Sequence, residues 1–433
     1  MMTTTTQKQQ KNTHRQHLLQ FSLFLLFSSL VQGQQLSHNH LRALQQEEAS
    51  WMDKLSDFFT DDRCLRTEKN TANSKDLSNW MSKRNLTSTR LLDLTLPGTH
   101  NSAAFDLTTE LNTNDPDYST VEEGTFRIPD SVVSQWICGY ALTQSLSLSE
   151  QLQAGIRYLD LRFDFDSVTN QWRGYHFLWG LEMSVLLEQI ATFAKAHPQE
   201  VMVLQFGTIY NPGVTAEQKQ DYASKITNIF AGQLIPTSID LQNVTIGELQ
   251  EAGTSIMAVI RDNEIATLSD VLWDDQNTIE NTYAPTDDTD VLKSYNEDRL
   301  AEFYNLDTNN TKLYKLQWIL TPTVAYIQAN PLVGNLYVLA QTANERLVEF
   351  KRPTSETNQQ LGNILLLDYV EVSPLFDVLD LSQYADGNFV QEEVPEQDTF
   401  SSAAKVGLGV GLTMFICGLC CLRKWCKKDK NKD

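Results

Sequence analysis

Between its two ends this 433-residue chain holds only two cysteines, Cys64 and Cys138. The other four, Cys417, Cys420, Cys421 and Cys426, crowd near the C-terminus, where none has the loop context of a zinc site. In an oxidising compartment Cys64 and Cys138 suffice for one disulfide, while the C-terminal four occupy positions open to palmitoylation. Positive charge is scarce as well. Lysine and arginine number 34 against 55 acidic residues, a formal net charge of −21. Such a surface excludes nucleic acid held through its phosphates and offers no attraction to anionic lipid headgroups. No long internal repeat is present.

Long apolar runs are few, and they lie at the termini. Lys8, Lys11 and Arg15 precede "LLQFSLFLLFSSLV" (18–31), with the small residue Gly33 after it, which predicts a signal peptide over 1–33. At the other end "AAKVGLGVGLTMFICGLCCL" (403–422) is long enough to cross a bilayer. Arg423, Lys424, Lys427, Lys428, Lys430 and Lys432 follow and place the tail, 423–433, in the cytosol. A lipid-anchor signal would instead end on its apolar tail. The expectation is a single-pass type I membrane protein with an extracellular or luminal body. Gly407 and Gly411 have the spacing that lets two spans approach as a weak dimer, and sequons at Asn85, Asn243 and Asn309 suit a glycoprotein.

The part between divides by texture. Residues 34–88 read as a polar lead-in and 386–402 as an acidic stalk. Over 89–385 short apolar runs alternate with helical patterns. "RLLDLTL" (90–96), "IRYLDLRF" (156–163), "VMVLQF" (201–206), "SIMAVI" (255–260), "LYKLQWI" (313–319) and "NILLLDYV" (363–370) are strand-like. "MSVLLEQIATFAKAH" (183–197) and 216–234 have helical apolar spacing. This alternation predicts an α/β fold with a mostly parallel sheet, and the length favours a barrel.

Of the seven histidines, His14 and His17 fall in the leader, His38 and His40 in the lead-in, and His197 at a helix end. His100 and His176 remain. His100 stands just past a short apolar run, on the Pro97–Gly98 turn of "LPGTHNSAA", and both histidines follow strand-like segments. In a parallel barrel such positions converge on one mouth, where two imidazoles can act as general base and general acid. In "YLDLRFDFD" Asp160, Arg162, Asp164 and Asp166 alternate with apolar residues, which puts the charged row on one face. A guanidinium there can stabilise a phosphate.

The motifs "LPGTHNSA", "LSEQLQAGIRYLDLRF", "GYHFLWG" and "HPQEVMVLQF", with "WILTPT" and "NILLLDYVEVSPLF" further on, resemble the X domain of phosphatidylinositol-specific phospholipases C over roughly residues 89–380. The resemblance implies a distorted triosephosphate-isomerase-type (β/α) barrel and cleavage of a phosphodiester by the inositol 2-hydroxyl. It further implies His100 as general base, His176 as general acid, Arg162 in the place of calcium and Asp368 as the partner of His100. Asn101, Asp160 and Arg261 would lie on the substrate side. Asn101 stands where bacterial-type members carry aspartate, and Gln205 lies in the region of a lysine that those members have. Arg162 and Gln205 also replace carboxylates of the calcium-dependent enzymes, so no metal or other cofactor is expected.

The expected function is therefore hydrolysis of phosphatidylinositol or glycosyl-phosphatidylinositol to diacylglycerol and a cyclic inositol phosphate. The alternative is a catalytically weak relative serving as a membrane receptor or binding module. Asn101 and the missing lysine favour that alternative; His100, Arg162 and His176 oppose it. A glycerophosphodiesterase would need metal-binding carboxylates around His100, and "GTHNSA" has none.

Overall fold

The computed structural model describes residues 64, 75–115, 137–305, 311–330, 335–350 and 361–387. The expected signal peptide, membrane span, basic tail, Gly407, Gly411 and Asn309 lie outside these residues. Among the described residues no helix is long and apolar enough to cross a membrane.

Among the described residues twelve strands are formed, beginning with β1 (Leu96–Thr99), β2 (Leu107–Leu111), β3 (Tyr158–Leu161), β4 (Phe163–Asp166), β5 (Gln171–His176) and β6 (Leu178–Glu182). There follow β7 (Met202–Phe206), β8 (Ile256–Ile260), β9 (Leu272–Asp274), β10 (Ile279–Asn281), β11 (Leu313–Gln317) and β12 (Ile364–Leu367). Eight of them make one parallel sheet in the order β10-β11-β12-β1-β3-β7-β8-β9. Starting from β1 this is chain order, and the sheet curls so that β12 pairs with β1. The ladder stops between β9 and β10, which the helical turn Asp275–Thr278 joins. The result is a mixed α/β fold built on a barrel-like parallel sheet left open at one seam. A second, antiparallel sheet has the order β2-β6-β5-β4.

The helices form where the sequence carries their signals. Helix α1 (Leu148–Gln153) starts with a capping box of Ser147 and Glu150. Helix α2 (Met183–Ala196) buries Leu186, Leu187, Ile190, Ala191 and Ala194, one stripe at three- and four-residue spacing. It ends on His197, as expected, and His197 Nδ1 lies 2.8 Å from Asn79 Oδ1. Helix α3 (Ala216–Ile229) has a second capping box, Thr215 with Gln218. At the N-terminal end of the strands the fully buried Arg157 bonds Glu200 at 2.7 Å and the carbonyls of Leu77 and Ser78 at 3.1 and 2.8 Å. That clamp fixes residues 77–82, whose Trp80 and Met81 are fully buried. Cys64 and Cys138 form the expected disulfide.

Two local expectations are corrected. The strand expected at 90–96 is displaced: Leu91–Asp93 is a 3-10 turn, and the supposed Pro97–Gly98 turn is the strand β1. Pro97 supplies only its carbonyl, to Arg157 N–H at 2.9 Å. Gly98 is needed because a Cβ there would lie 2.9 Å from the Tyr158 ring. The charged row of "YLDLRFDFD" is also divided. The chain leaves the barrel sheet after Leu161, and Phe163–Asp166 joins the antiparallel sheet. Asp164 is buried among Asn112, Asn114 and Asn211, and Asp166 pairs with Arg173 at 3.0 Å.

Candidate active site

The C-terminal ends of β1, β3 and β12 bring four side chains together. His100 follows β1 directly, and its N–H donates to Leu367 O at 2.9 Å, which extends the ladder with β12 by one residue. Asp368 is the first residue beyond β12, and its Oδ1 lies 2.8 Å from His100 Nδ1. Arg162, the first residue after β3, places Nη2 2.9 Å from His100 Nε2 and 3.2 Å from Asp160 Oδ2. A guanidinium cannot accept a hydrogen bond, so Nε2 is the acceptor. The imidazole proton then sits on Nδ1, facing Asp368. His100 is thereby a neutral imidazole with a buried carboxylate behind it, a form able to take up a proton.

Asp160 points inward from β3 and also accepts the Asn101 N–H at 3.2 Å. Burial pushes its carboxyl up, but the charges of Arg162 and Lys315 outweigh that and hold it well below the usual carboxylate range. Gly207 leaves room for the Arg162 stem, since a Cβ there would come within 3.1 Å of Cγ. Asn101 adopts a left-handed turn conformation with φ 42°. Its amide is buried, and neither amide atom has a hydrogen-bond partner.

His176 arrives from the other sheet, at the end of β5. Its Nδ1 is 2.7 Å from Ala141 O; a carbonyl only accepts, so Nδ1 carries the proton and Nε2 is the nitrogen available to a ligand. The two imidazoles stand edge to face with centroids 6.1 Å apart. Burial, then the charge of Arg162, push the His176 pKa well below the ordinary histidine value, against the Ala141 hydrogen bond.

Of the residues singled out from the sequence, His100, Asn101, Asp160, Arg162, His176 and Asp368 are thus assembled. Arg261, just past β8, does not reach this group. It is half-exposed and pairs with Asp275 at 3.4 Å. Sequence reasoning missed the polar layer beneath. Lys315 on β11 donates to Gln205 Oε1 at 2.7 Å and to Tyr158 OH at 3.1 Å. Gln205 Nε2 in turn bonds Asp275. Burial lowers the Lys315 pKa to about 8, against the pull of Asp160 and Asp275. A lysine at the inward parity of an apolar strand, as in "LYKLQ", was the available signal.

No protein-family model matches the chain. It is, however, 24% identical over 314 residues to the zebrafish (Danio rerio) PI-PLC X domain-containing protein 3, covering 71% of this chain and 94% of that protein. To the human PI-PLC X domain-containing protein 2 it is 28% identical over 279 residues, 63% of this chain and 87% of that one. The chain is similar to PI-PLC X domain-containing proteins along most of their length. Among solved structures it aligns with the phosphatidylinositol-specific phospholipase C of Listeria monocytogenes at a TM-score of 0.46 and 18% identity, covering 71% of this chain and 98% of that one. A variant of the Staphylococcus aureus phosphatidylinositol-specific phospholipase C gives 0.48 at 18% identity, with the same coverage. The assembled residues lie at or just past the ends of strands, at positions the two sheets fix.

Proposed function

We propose that this chain is a membrane-tethered phosphodiesterase that cleaves phosphatidylinositol or a glycosyl-phosphatidylinositol without a metal or other cofactor. The observation that carries the proposal is the pairing of His100 with Asp368, with His176 facing it edge to face and Arg162 donating to His100 Nε2. His100 Nε2 takes the proton of the inositol 2-hydroxyl as its oxygen attacks phosphorus. The bond from phosphorus to the glycerol oxygen breaks, and His176, in the cationic form that carries a second proton on Nε2 while Nδ1–H stays on Ala141 O, gives that second proton to the oxygen. The products are diacylglycerol and a cyclic inositol phosphate. Arg162 stabilises the charge on the non-bridging oxygens, and Asp368 holds the His100 tautomer. Asn101 and Asp160 lie beside this group, and Arg261, paired with Asp275, stands apart from it.

Arg162 initially donates to the lone pair that must accept the substrate proton. An anionic phosphodiester is a stronger acceptor than imidazole and draws the guanidinium to itself, which frees Nε2. The same contact is what favours the second reading, a catalytically weak receptor or binding module whose base stays covered. The signal peptide, the span 403–422 and the cytosolic tail supply the tether in this proposal. Asn85 and Asn243, both exposed, are then glycosylated on the outer or luminal side.

The test uses the purified full chain in detergent on phosphatidylinositol and on a lipid-anchored protein, with excess chelator. Turnover is expected in chelator, with His100→Ala and His176→Ala each lowering it about 100- to 10,000-fold. Binding without turnover, unchanged in either variant, supports the binding module instead.

A further inference from the structure

Residues 141–144 are hydrogen-bonded to the segments that carry His100, His176 and Asp368. Ala141 O receives His176 Nδ1 at 2.7 Å. Thr143 Oγ1 donates to Asn101 O at 3.0 Å. Tyr369, next to Asp368, donates its hydroxyl to Leu142 O at 2.7 Å and its N–H to Thr143 O at 2.9 Å. Gln144 makes the most specific contact. Its Nε2 donates to His100 O at 3.0 Å and to Leu367 O at 3.2 Å. These carbonyls belong to the proposed base and to the residue that precedes its carboxylate partner.

Gln144 is 1% exposed, and its own Oε1 is buried with no hydrogen-bond partner. An apolar side chain of the same length would avoid that orphaned acceptor. Packing therefore gives no reason for an amide here, whereas the two carbonyls do. We infer that Gln144 is a positioning residue, which sets the distance between His100 and Asp368 by bridging the backbone carbonyls of both loops. The inference rests on the proposed phosphodiesterase reading for its kinetic consequence but not for its structural one.

The test is the full chain carrying Gln144→Met, which matches the length and removes both donors. Gln144→Glu, which keeps polarity and size, serves as the second variant should the first unfold. Two quantities are read. The first is the downfield proton resonance of His100 Nδ1–H against a carboxylate, assigned by its loss in His100→Ala. It should broaden or vanish in a variant that still unfolds cooperatively. The second is turnover: kcat should fall about 10- to 100-fold, the effect of small misplacements of reacting groups, with KM within about twofold of wild type. Loss of the resonance supports the positioning role even if no lipid is cleaved, in which case only the phosphodiesterase reading fails. A resonance unchanged in a folded variant, or a kcat equal to wild type in an active enzyme, overturns the inference.

Discussion

Replacing Arg162 by alanine separates the two tasks of its guanidinium. Toward Asp160 it makes an ion pair of 3.2 Å with its side chain 32% exposed, and a partly solvated pair of this kind is worth about 1 kcal/mol or less. Asp160 also keeps the Asn101 N–H and the charge of Lys315, so the fold should survive. Toward a bound phosphate the group acts differently, as a fixed charge-assisted donor. Removing one such donor typically costs about 2.7–4 kcal/mol, or 100- to 1,000-fold in kcat. The expected result is therefore a fall of about 100-fold or more in kcat/KM, with a shift in Tm of about 5 °C or less. Diacylglycerol release from phosphatidylinositol vesicles measures the first and thermal unfolding the second. Arg162→Lys should fall between, since it keeps the charge but loses the planar fork. Activity of Arg162→Ala within about fivefold of wild type, on a scale where the contact should supply 100-fold, would refute the assigned role.

The remaining expectations concern pH and the disulfide. His176 must carry a second proton to act as the acid, yet burial and Arg162 favour its neutral form. Its protonated fraction falls as pH rises, so kcat/KM should be highest on the acid side of the ordinary histidine range, and an alkaline optimum contradicts the role. The Cys64–Cys138 bond spans a sequence separation of 74, and in the chain-entropy picture its loss costs about 4.5 kcal/mol. Denaturant unfolding of Cys138→Ser checks that figure. A fall in kcat should accompany it, because Cys138 lies in the same helical turn as the Ala141 carbonyl that holds His176.

Much of the site was legible because it lies at strand ends in short motifs. Arg162 and Asp368 each directly follow a strand whose apolar pattern can be read along the chain, whereas the strands at His100 and His176, "LPGT" and "QWRGYH", carry no such pattern and those two residues were found through their motifs. What periodicity could not give is where a strand changes sheets. Asp160 and Asp164 have the same parity in "YLDLRFDFD", yet the chain passes from the parallel to the antiparallel sheet at Arg162, so Asp164 serves the packing of Asn112 and Asn211 instead. Pro97 and Gly98 have the composition of a turn but form a strand, because Tyr158 fills the space beside Gly98. Gln144 and Lys315 act across sequence separations of 223 and 110 residues. No local pattern records such a pairing.

Lys315 explains how an acidic side chain can be kept ionised beneath the site. Asp160 is buried, and burial alone favours its neutral form; Arg162 and Lys315 reverse that preference. An ionised Asp160 then anchors Arg162 beside His100. Because Asp160 has a lowered pKa, it stabilises the fold above the unfolded carboxylate value of about 4, and that stability is lost as pH falls through the folded value. Lys315→Met removes one of the two charges. The Asp160 pKa should rise, and the acid-unfolding midpoint should move to higher pH. At neutral pH stability should change little, since a costly buried charge leaves together with its attraction. Activity should fall about tenfold, as Arg162 loses part of its anchor while keeping its charge, a change of about 1.4 kcal/mol. Acid titration followed by circular dichroism, alongside kcat/KM, measures both. An unmoved acid midpoint would show that Lys315 does not govern Asp160, and the polar layer would then serve Tyr158 and Gln205 alone.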